Sequence, residues 1–375
     1  MKIAYVAHIR LPTEKAHGYQ IMRVCAQWAN AGHEVVLYVP KRHNHITQDA
    51  FTFYGLTQNF SIEYVPCKDL MLWVPLFGRL AFFAQSYTFL RALWQQLPHN
   101  TLVYTRDREA VWYLSKRGYK CVFNAHTWPR KGWLAAWLVA RAKGVVANSQ
   151  GTASVVQAAT GLPTIAVYNA SDTNPYAGMQ KEVLRKELSL PADKKIILYS
   201  GHLYRWKGTD VLLASARILQ QSPEFLFVCI GGTQEDVAQM QHETRGMSGI
   251  QFLGHKPKEQ VPKYLAAADV LVLPNTAATQ ESVRFTSPLK LFEYMASGTP
   301  IVASDLPSLK EVLSEATAFF AKPGSGESLA HAVQEALAHI GEAQTRARAA
   351  LALSHEHTWD AHAQKTLAFI ESVTV

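Results

Sequence analysis

Two doubly wound α/β domains, each a parallel sheet covered by helices, are what the sequence predicts. Three observations carry this: the length, an alternation of short apolar runs with amphipathic ones, and a polar stretch after which the alternation starts again. At 375 residues the chain is too long for one ordinary core and suits two. Hydrophobic residues make up 48% and charged residues 18%, a globular composition. The pattern places one domain at 1–170, a second at 171–354 and a closing segment at 355–375.

Ile3 to Ala7 reads as a buried parallel strand from its continuous apolar run. Ile21, Val24, Cys25 and Trp28 then recur at i, i+3, i+4, i+7, one apolar face of a helix from Gly18 to Ala31. Gly32 ends that helix, and Glu34–Val39 is the next strand. Further strands are expected at Leu102–Tyr104, Cys121–Asn124, Val145–Ala147 and Ile165–Val167. Strand–helix–strand alternation joins strands in parallel, so helices cover both sheet faces. From Asn169 to Asp193 the chain turns polar and then charged, and reads as a linker. The second series runs through Ile196–Ser200, a helix from Asp210, Phe225–Ile230, Ile250–Leu253, Val270–Leu273 and Pro300–Ala303. His355 to Val375 reads as one amphipathic helix with Trp359, Ala363, Leu367 and Ile370 on one face. Two such domains place a ligand in a cleft between their strand C-termini.

The formal charge of +8 points to an anionic partner: a nucleotide, a phosphorylated lipid, a membrane surface or nucleic acid. Nucleic acid is disfavoured, because the basic residues are dispersed rather than striped among aromatics. Cys25, Cys67, Cys121 and Cys229 show no Cys-x-x-Cys pair, which suits free thiols in a reducing compartment. Met1 to Val6 runs directly into a strand without a signal peptide's apolar core, so a cytoplasmic site is expected. Leu70 to Leu90 is nearly all apolar and aromatic, with Trp73, Phe77, Phe82, Phe83, Tyr87 and Phe89. Pro75, Gly78, Arg79 and Gln85 interrupt it, which argues for helices that are buried or lie on a membrane rather than a span.

Three constellations fall at strand ends. After the first strand, His17-Gly18-Tyr19-Gln20 opens a helix. Glycine there lets a phosphate approach backbone N–H groups and the helix dipole; a plain helix start reads equally well. The turn lacks G-x-G-x-x-G, which counts against an NAD enzyme. Between the strand at 196–200 and its helix lies Gly201-His202-Leu203-Tyr204-Arg205-Trp206-Lys207-Gly208. Arg205 as a fork and Lys207 as a point charge would neutralise a diphosphate, the alternative being a solvated basic loop. The third run, Ser287-Pro288-Leu289-Lys290-Leu291-Phe292-Glu293 through Gly298-Thr299-Pro300, opens a helix at Ser-Pro. Its start is an anion site, and Glu293 three residues after Lys290 would accept hydrogen bonds from a ribose diol. A surface Lys290–Glu293 ion pair is the alternative.

Together these residues resemble retaining glycosyltransferases of family 4, whose two-domain architecture is called GT-B. The resemblance covers the whole chain. It also takes in Asn124-Ala125-His126, Ala147-Asn148-Ser149, Asn169 with Asp172, Phe252-Leu253-Gly254, Ala268-Asp269-Val270 and the terminal helix with Trp359. The resemblance implies two facing Rossmann-like domains, with the terminal segment crossing back to the first. It implies that Gly18 and the N–H groups from Ser287 through Leu289 to Lys290 hold the donor's phosphates. Lys207, with Arg205 or His202, would neutralise them, and Glu293 would bind the ribose. The base would lie near Gly231, Gly232 and Lys256, and His126 beside the donor sugar. His126, Lys207 and Glu293 are thus the expected catalytic group. Two departures stand out: Phe285 where the family has a glutamate eight positions before Glu293, and His202 where it has arginine.

The expected activity is metal-independent, retaining transfer from a UDP- or GDP-linked sugar to a glycan or lipid-linked acceptor, in cell-surface polysaccharide or glycolipid synthesis. Peripheral membrane contact is expected and a cofactor is not. Asp107 and Glu109 resemble an acidic metal motif, but Arg106 and Arg108 would repel a divalent cation. The histidines show no metal-ligand spacing. The rival readings are a nucleotide-sugar epimerase and a catalytically silent nucleotide-sugar or lipid-binding homologue.

Overall fold

The computed structural model describes residues 1–70, 78–130, 132–172 and 174–374, without the side chains of Arg79 and Asn174. The chain divides into two compact units. The first comprises residues 1–168 with the terminal helix Trp359–Thr374, and the second comprises Asn169–Thr358.

In the first unit seven parallel strands are ordered β3-β2-β1-β4-β5-β6-β7. They are β1 (Lys2–Val6), β2 (Glu34–Pro40), β3 (Ser61–Val65), β4 (Leu102–Thr105), β5 (Cys121–Ala125), β6 (Gly144–Ala147) and β7 (Thr164–Ala166). Strand β1 pairs on one side with β2 (Ile3 opposite Val35) and on the other with β4 (Ile3 opposite Leu102). The strand order therefore reverses between β1 and β4. Continuous apolar runs are what a sheet buried on both faces needs, and every residue of β4, β5 and β6 is buried.

In the second unit six parallel strands are ordered β10-β9-β8-β11-β12-β13. They are β8 (Lys195–Ser200), β9 (Phe225–Ile230), β10 (Ile250–Gly254), β11 (Val270–Leu273), β12 (Ile301–Ser304) and β13 (Phe319–Ala321). Here the reversal lies between β8 and β11. Each unit is thus a Rossmann-like doubly wound sheet, and ligands bind such sheets beyond the strand C-termini at the reversal.

The polar stretch that reads as a linker is partly structural. Lys181–Glu187 forms a helix of the second unit, and the buried Arg185 on it donates to Asp269 Oδ2 at 2.6 Å and to Ala267 O at 3.0 Å. Asp269 also takes Lys181 Nζ at 3.1 Å and the Ile196 N–H at 2.7 Å. Edge strands β3 and β13 have no counterpart in the sequence reading. The aromatic segment Leu70–Leu90 is described from Gly78 onward; Trp73 and Phe77 lie outside the described residues. Its remainder opens the helix Arg79–Gln96, where Phe89, Leu90 and Leu93 are core and Leu80, Phe83 and Tyr87 are exposed. No helix among the described residues is long and apolar enough to cross a membrane.

Candidate functional site

In the second unit the chemistry gathers beyond β8. Gly208 has φ +88°, and a Cβ on it would meet Pro274 O, after β11, at 1.7 Å; only glycine closes this loop against the neighbouring strand end. The tight turn places Lys207 half-buried over Trp206, its Nζ 5.2 Å from the ring centroid. His202 and Tyr204 stack at 5.0 Å, and Tyr204 continues onto Trp206 at 6.4 Å. Lys290 enters from the helix Leu289–Ser297. Its Nζ sits 3.9 Å from the Tyr199 ring centroid and 3.3 Å from where a Cβ on Gly201 would be. That ammonium is buried and has no hydrogen-bond partner. Burial, then the Lys207 charge, press the Lys290 pKa well below the ordinary lysine value, against the opposing pull of Glu293. Burial also lowers that of Lys207. A buried ammonium without an acceptor, under the charge of a second lysine, is a poor arrangement unless an anion joins it.

The same helix starts without a side-chain cap at Pro288. Ser287 is taken by Asn169, whose backbone N–H donates to Ser287 Oγ at 3.2 Å and whose amide donates to Ser287 O. Glu293, one turn beyond Lys290, pairs with Lys258 rather than with Lys290. Tyr294 Oη accepts the Ser200 N–H at 2.8 Å, tying the helix to the end of β8. Gly231 and Gly232 follow β9, and a Cβ on Gly231 would lie 2.4 Å from Gly201 O. Lys256 sits over Tyr264 at 5.6 Å. Arg205 is mostly exposed and leans to Glu243 at 3.6 Å, at the rim of a cavity of about 370 Å³ lined by Leu203, Tyr204, Trp206, Asp236 and Gln239. The buried cation at this strand end is Lys290, not Arg205.

In the first unit His126 follows β5 and is neutral. Burial, then the charge of Arg106, drive its pKa well below the ordinary value. Its Nε2 lies 2.9 Å from Asn124 Oδ1, which also accepts Arg106 Nε at 3.1 Å. Asn124 Nδ2 donates to Val146 O, so Oδ1 is the acceptor and His126 Nε2 carries the proton, leaving Nδ1 as its acceptor. Gly18 lies inside the helix Ala16–Asn30, its N–H bonded to Lys15 O at 3.0 Å. A Cβ there would meet Tyr54 Oη at 2.1 Å, so its small size makes room for Tyr54. Asp107 accepts the His8 N–H at 2.8 Å.

Sequence reasoning missed two residues. Lys258 holds Glu293 across 35 positions, and its only trace is the Lys256-Pro257-Lys258 cluster. Arg106, weighed only as an obstacle to metal, organises the end of β4.

The family model for glycosyl transferases group 1 matches residues 180–350, and the model for Glycosyltransferase Family 4 matches residues 18–174. The chain belongs to glycosyltransferase family 4. TuaC of Bacillus subtilis, provisionally named a teichuronic acid biosynthesis glycosyltransferase, is 31% identical over 153 residues, 41% of this chain and 36% of TuaC. A D-inositol 3-phosphate glycosyltransferase of Corynebacterium aurimucosum is 24% identical over 234 residues, 58% of this chain and 54% of the relative. The family 4 chain thus spans about a third to a half of the length of these curated relatives. The crystal structure of Anabaena Alr3699/HepE in complex with UDP and glucose superposes with a TM-score of 0.77 at 18% identity. It covers 99% of this chain and 100% of that one, and shares the GT-B fold of two Rossmann-like domains.

Proposed function

We propose that this family 4 protein transfers a sugar, with retention of anomeric configuration, from a nucleoside-diphosphate donor to a glycan or lipid-linked acceptor. The observation that carries the reading is the buried, partnerless ammonium of Lys290 beside Lys207 at the end of β8. A diphosphate is the anion that fits two cations next to an uncapped helix start. As the bond between C1 and the donor's phosphate oxygen breaks, negative charge grows on that oxygen. Fixed cations and helix N–H groups stabilise it without reorganising, the task a metal ion performs elsewhere. The acceptor hydroxyl attacks on the same face and gives its proton to the departing phosphate. Glu293 exchanges Lys258 for the ribose diol, and His126 Nδ1 accepts from a sugar hydroxyl. Uridine is the first base to try, because the Alr3699/HepE neighbour holds UDP.

An acceptor used at the inner face of a membrane, in polysaccharide or glycolipid synthesis, fits the +8 charge and the exposed aromatics Trp133 and Trp137. A silent nucleotide-sugar-binding homologue is the second reading, favoured by Phe285 in place of a carboxylate. A thermal-shift screen against UDP-, GDP- and ADP-sugars, followed by assay for released nucleotide, tests both. At 100 times Kd a ligand adds about 2.7 kcal/mol to the folded state. No shift with any of them would refute the donor site; a shift without turnover would favour the silent homologue.

A further inference from the structure

The helix that carries Lys290 is fastened at its start by the first residue of the second unit. Asn169 lies directly after the point where the chain leaves the first unit, and Thr358 directly before the point where it returns. The Asn169 backbone N–H donates to Ser287 Oγ at 3.2 Å, and its side-chain amide donates to Ser287 O. Two residues on, Ser171 Oγ donates to Phe292 O at 3.0 Å, within the helix Leu289–Ser297. The Ser171 N–H donates to His357 O at 3.0 Å, and Ser171 forms a parallel bridge with Thr358. The His357 ring lies 5.1 Å from that of Phe292. Asn169, Ser171 and Ser287 are all buried. The segments next to both passages of the chain therefore grip the same helix.

This grip leaves the helix start open. A serine ahead of a helix commonly turns its hydroxyl onto the first amides. Here Ser287 Oγ serves Asn169, and no side chain caps the helix. The Leu291 N–H bonds to Pro288 O at 3.0 Å, whereas the Leu289 and Lys290 N–H groups take no acceptor among the described residues. Open N–H groups hold an oxyanion only while they converge on it, so their worth depends on what keeps the helix start in place. We propose that Asn169 is a positioning residue of the donor site. It acts through Ser287 rather than on the donor, holding the Leu289 and Lys290 amides where they meet the donor's phosphates. The assignment rests on the donor reading of this helix.

The test compares a nucleoside diphosphate with its nucleoside on the full chain, by calorimetry. The probes are UDP and uridine, or GDP and guanosine where the thermal-shift screen favours GDP. Only the diphosphate needs the helix start. Asn169→Ala keeps the backbone bond to Ser287 and removes the amide. It should weaken the diphosphate at least fivefold and change nucleoside affinity less than twofold, whereas a general loss of structure weakens both alike. A second readout needs no variant to fold. In the wild type, the backbone amide resonances of Leu289 and Lys290 and the side-chain amide of Asn169 should move with the diphosphate and stay with the nucleoside. Equal weakening of both ligands, an unchanged diphosphate affinity, or an Asn169 amide that stays while the helix amides move would overturn the role of Asn169 and leave the donor site standing. A wild type that binds neither UDP nor GDP would sink the donor reading, and this assignment with it.

Discussion

Lys290 Nζ lies 3.9 Å from the centroid of the Tyr199 ring and has no hydrogen-bond acceptor. A buried ammonium held only by a ring face and opposed by Lys207 costs the unliganded protein stability. Lys290→Met keeps the length and removes the charge. The variant should melt at or above the wild-type temperature and lose the thermal shift caused by UDP. Because the folded pKa is depressed, the wild type's handicap is full below that pKa. It fades as pH climbs toward the ordinary value of 10.5. Melting curves of both proteins from pH 7 to 10 with and without UDP check this. A destabilised variant that still responds to UDP would make Lys290 structural.

Lys207 and Glu293 should serve the donor rather than the fold. Lys207 is half-buried over Trp206, and Glu293 pairs with a partly exposed Lys258, so neither holds the core. Lys207→Ala and Glu293→Ala should each lower kcat/KM at least a hundredfold, about 2.7 kcal/mol of transition-state stabilisation. Melting temperatures should change by no more than a few degrees. Lost stability with unchanged nucleotide affinity would reverse the assignment.

The long buried strands were legible because a parallel sheet covered on both faces demands continuous apolar runs, as in FLFVCI at Phe225–Ile230. Edge strand β3, Ser61–Val65, buries only Val65 fully, so it has neither a run nor a clean alternation. Strand β13 is three residues long and leaves no periodicity to read. The site was legible where a local motif carries it, as at Lys207-Gly208 and Lys290 to Glu293. It was hidden where contacts are remote: Arg106 meets Tyr5 across 101 positions. The polar texture before β8 concealed Arg185, whose partner Asp269 lies 84 positions on.

That pair predicts the acid response of the second unit. Burial alone would raise the Asp269 pKa, but Lys181, the Ile196 N–H and Arg185 together bring it below the ordinary 3.8. A depressed carboxylate pKa gives stability present above the unfolded value, lost as pH falls through the folded one. The wild type should therefore lose this contribution below about pH 4. Asp269→Asn keeps the acceptor for Ile196 but removes the counter-charge of Arg185, which is 8% exposed and is left with backbone carbonyl acceptors alone. It should cost about 3 kcal/mol at pH 7, lowering the melting temperature by roughly 6–12 °C for a domain of this size. The difference from wild type should shrink at pH 3. A gap of equal size at both pH values would refute the charge argument.

The proposed work at a membrane puts its weight on one surface of the first unit. Helices Arg79–Gln96, Arg108–Ser115 and Trp133–Val139 carry Trp94, Trp112 and Trp137 among cations. Lys116 Nζ lies 4.3 Å from the Trp112 ring and 5.9 Å from that of Trp137, and Arg117 sits 4.9 Å from Trp94. Trp133 is 75% exposed, Trp137 54% and Trp94 41%. Aromatic rings settle at the headgroup level, and basic residues near an anionic leaflet contribute about 1 kcal/mol each. Neither term alone anchors a protein firmly, so attachment should be reversible and weaken as salt screens the charges. The full chain should co-sediment with vesicles rich in phosphatidylglycerol at low salt and less so at 0.5 M salt, about 4 Å of screening length. It should stay in solution with phosphatidylcholine vesicles. Trp133→Ala with Trp137→Ala should reduce pelleting at least threefold without altering UDP binding, since both rings are largely exposed. Equal, negligible pelleting with both lipids would sink the membrane assignment and make a soluble acceptor the better choice.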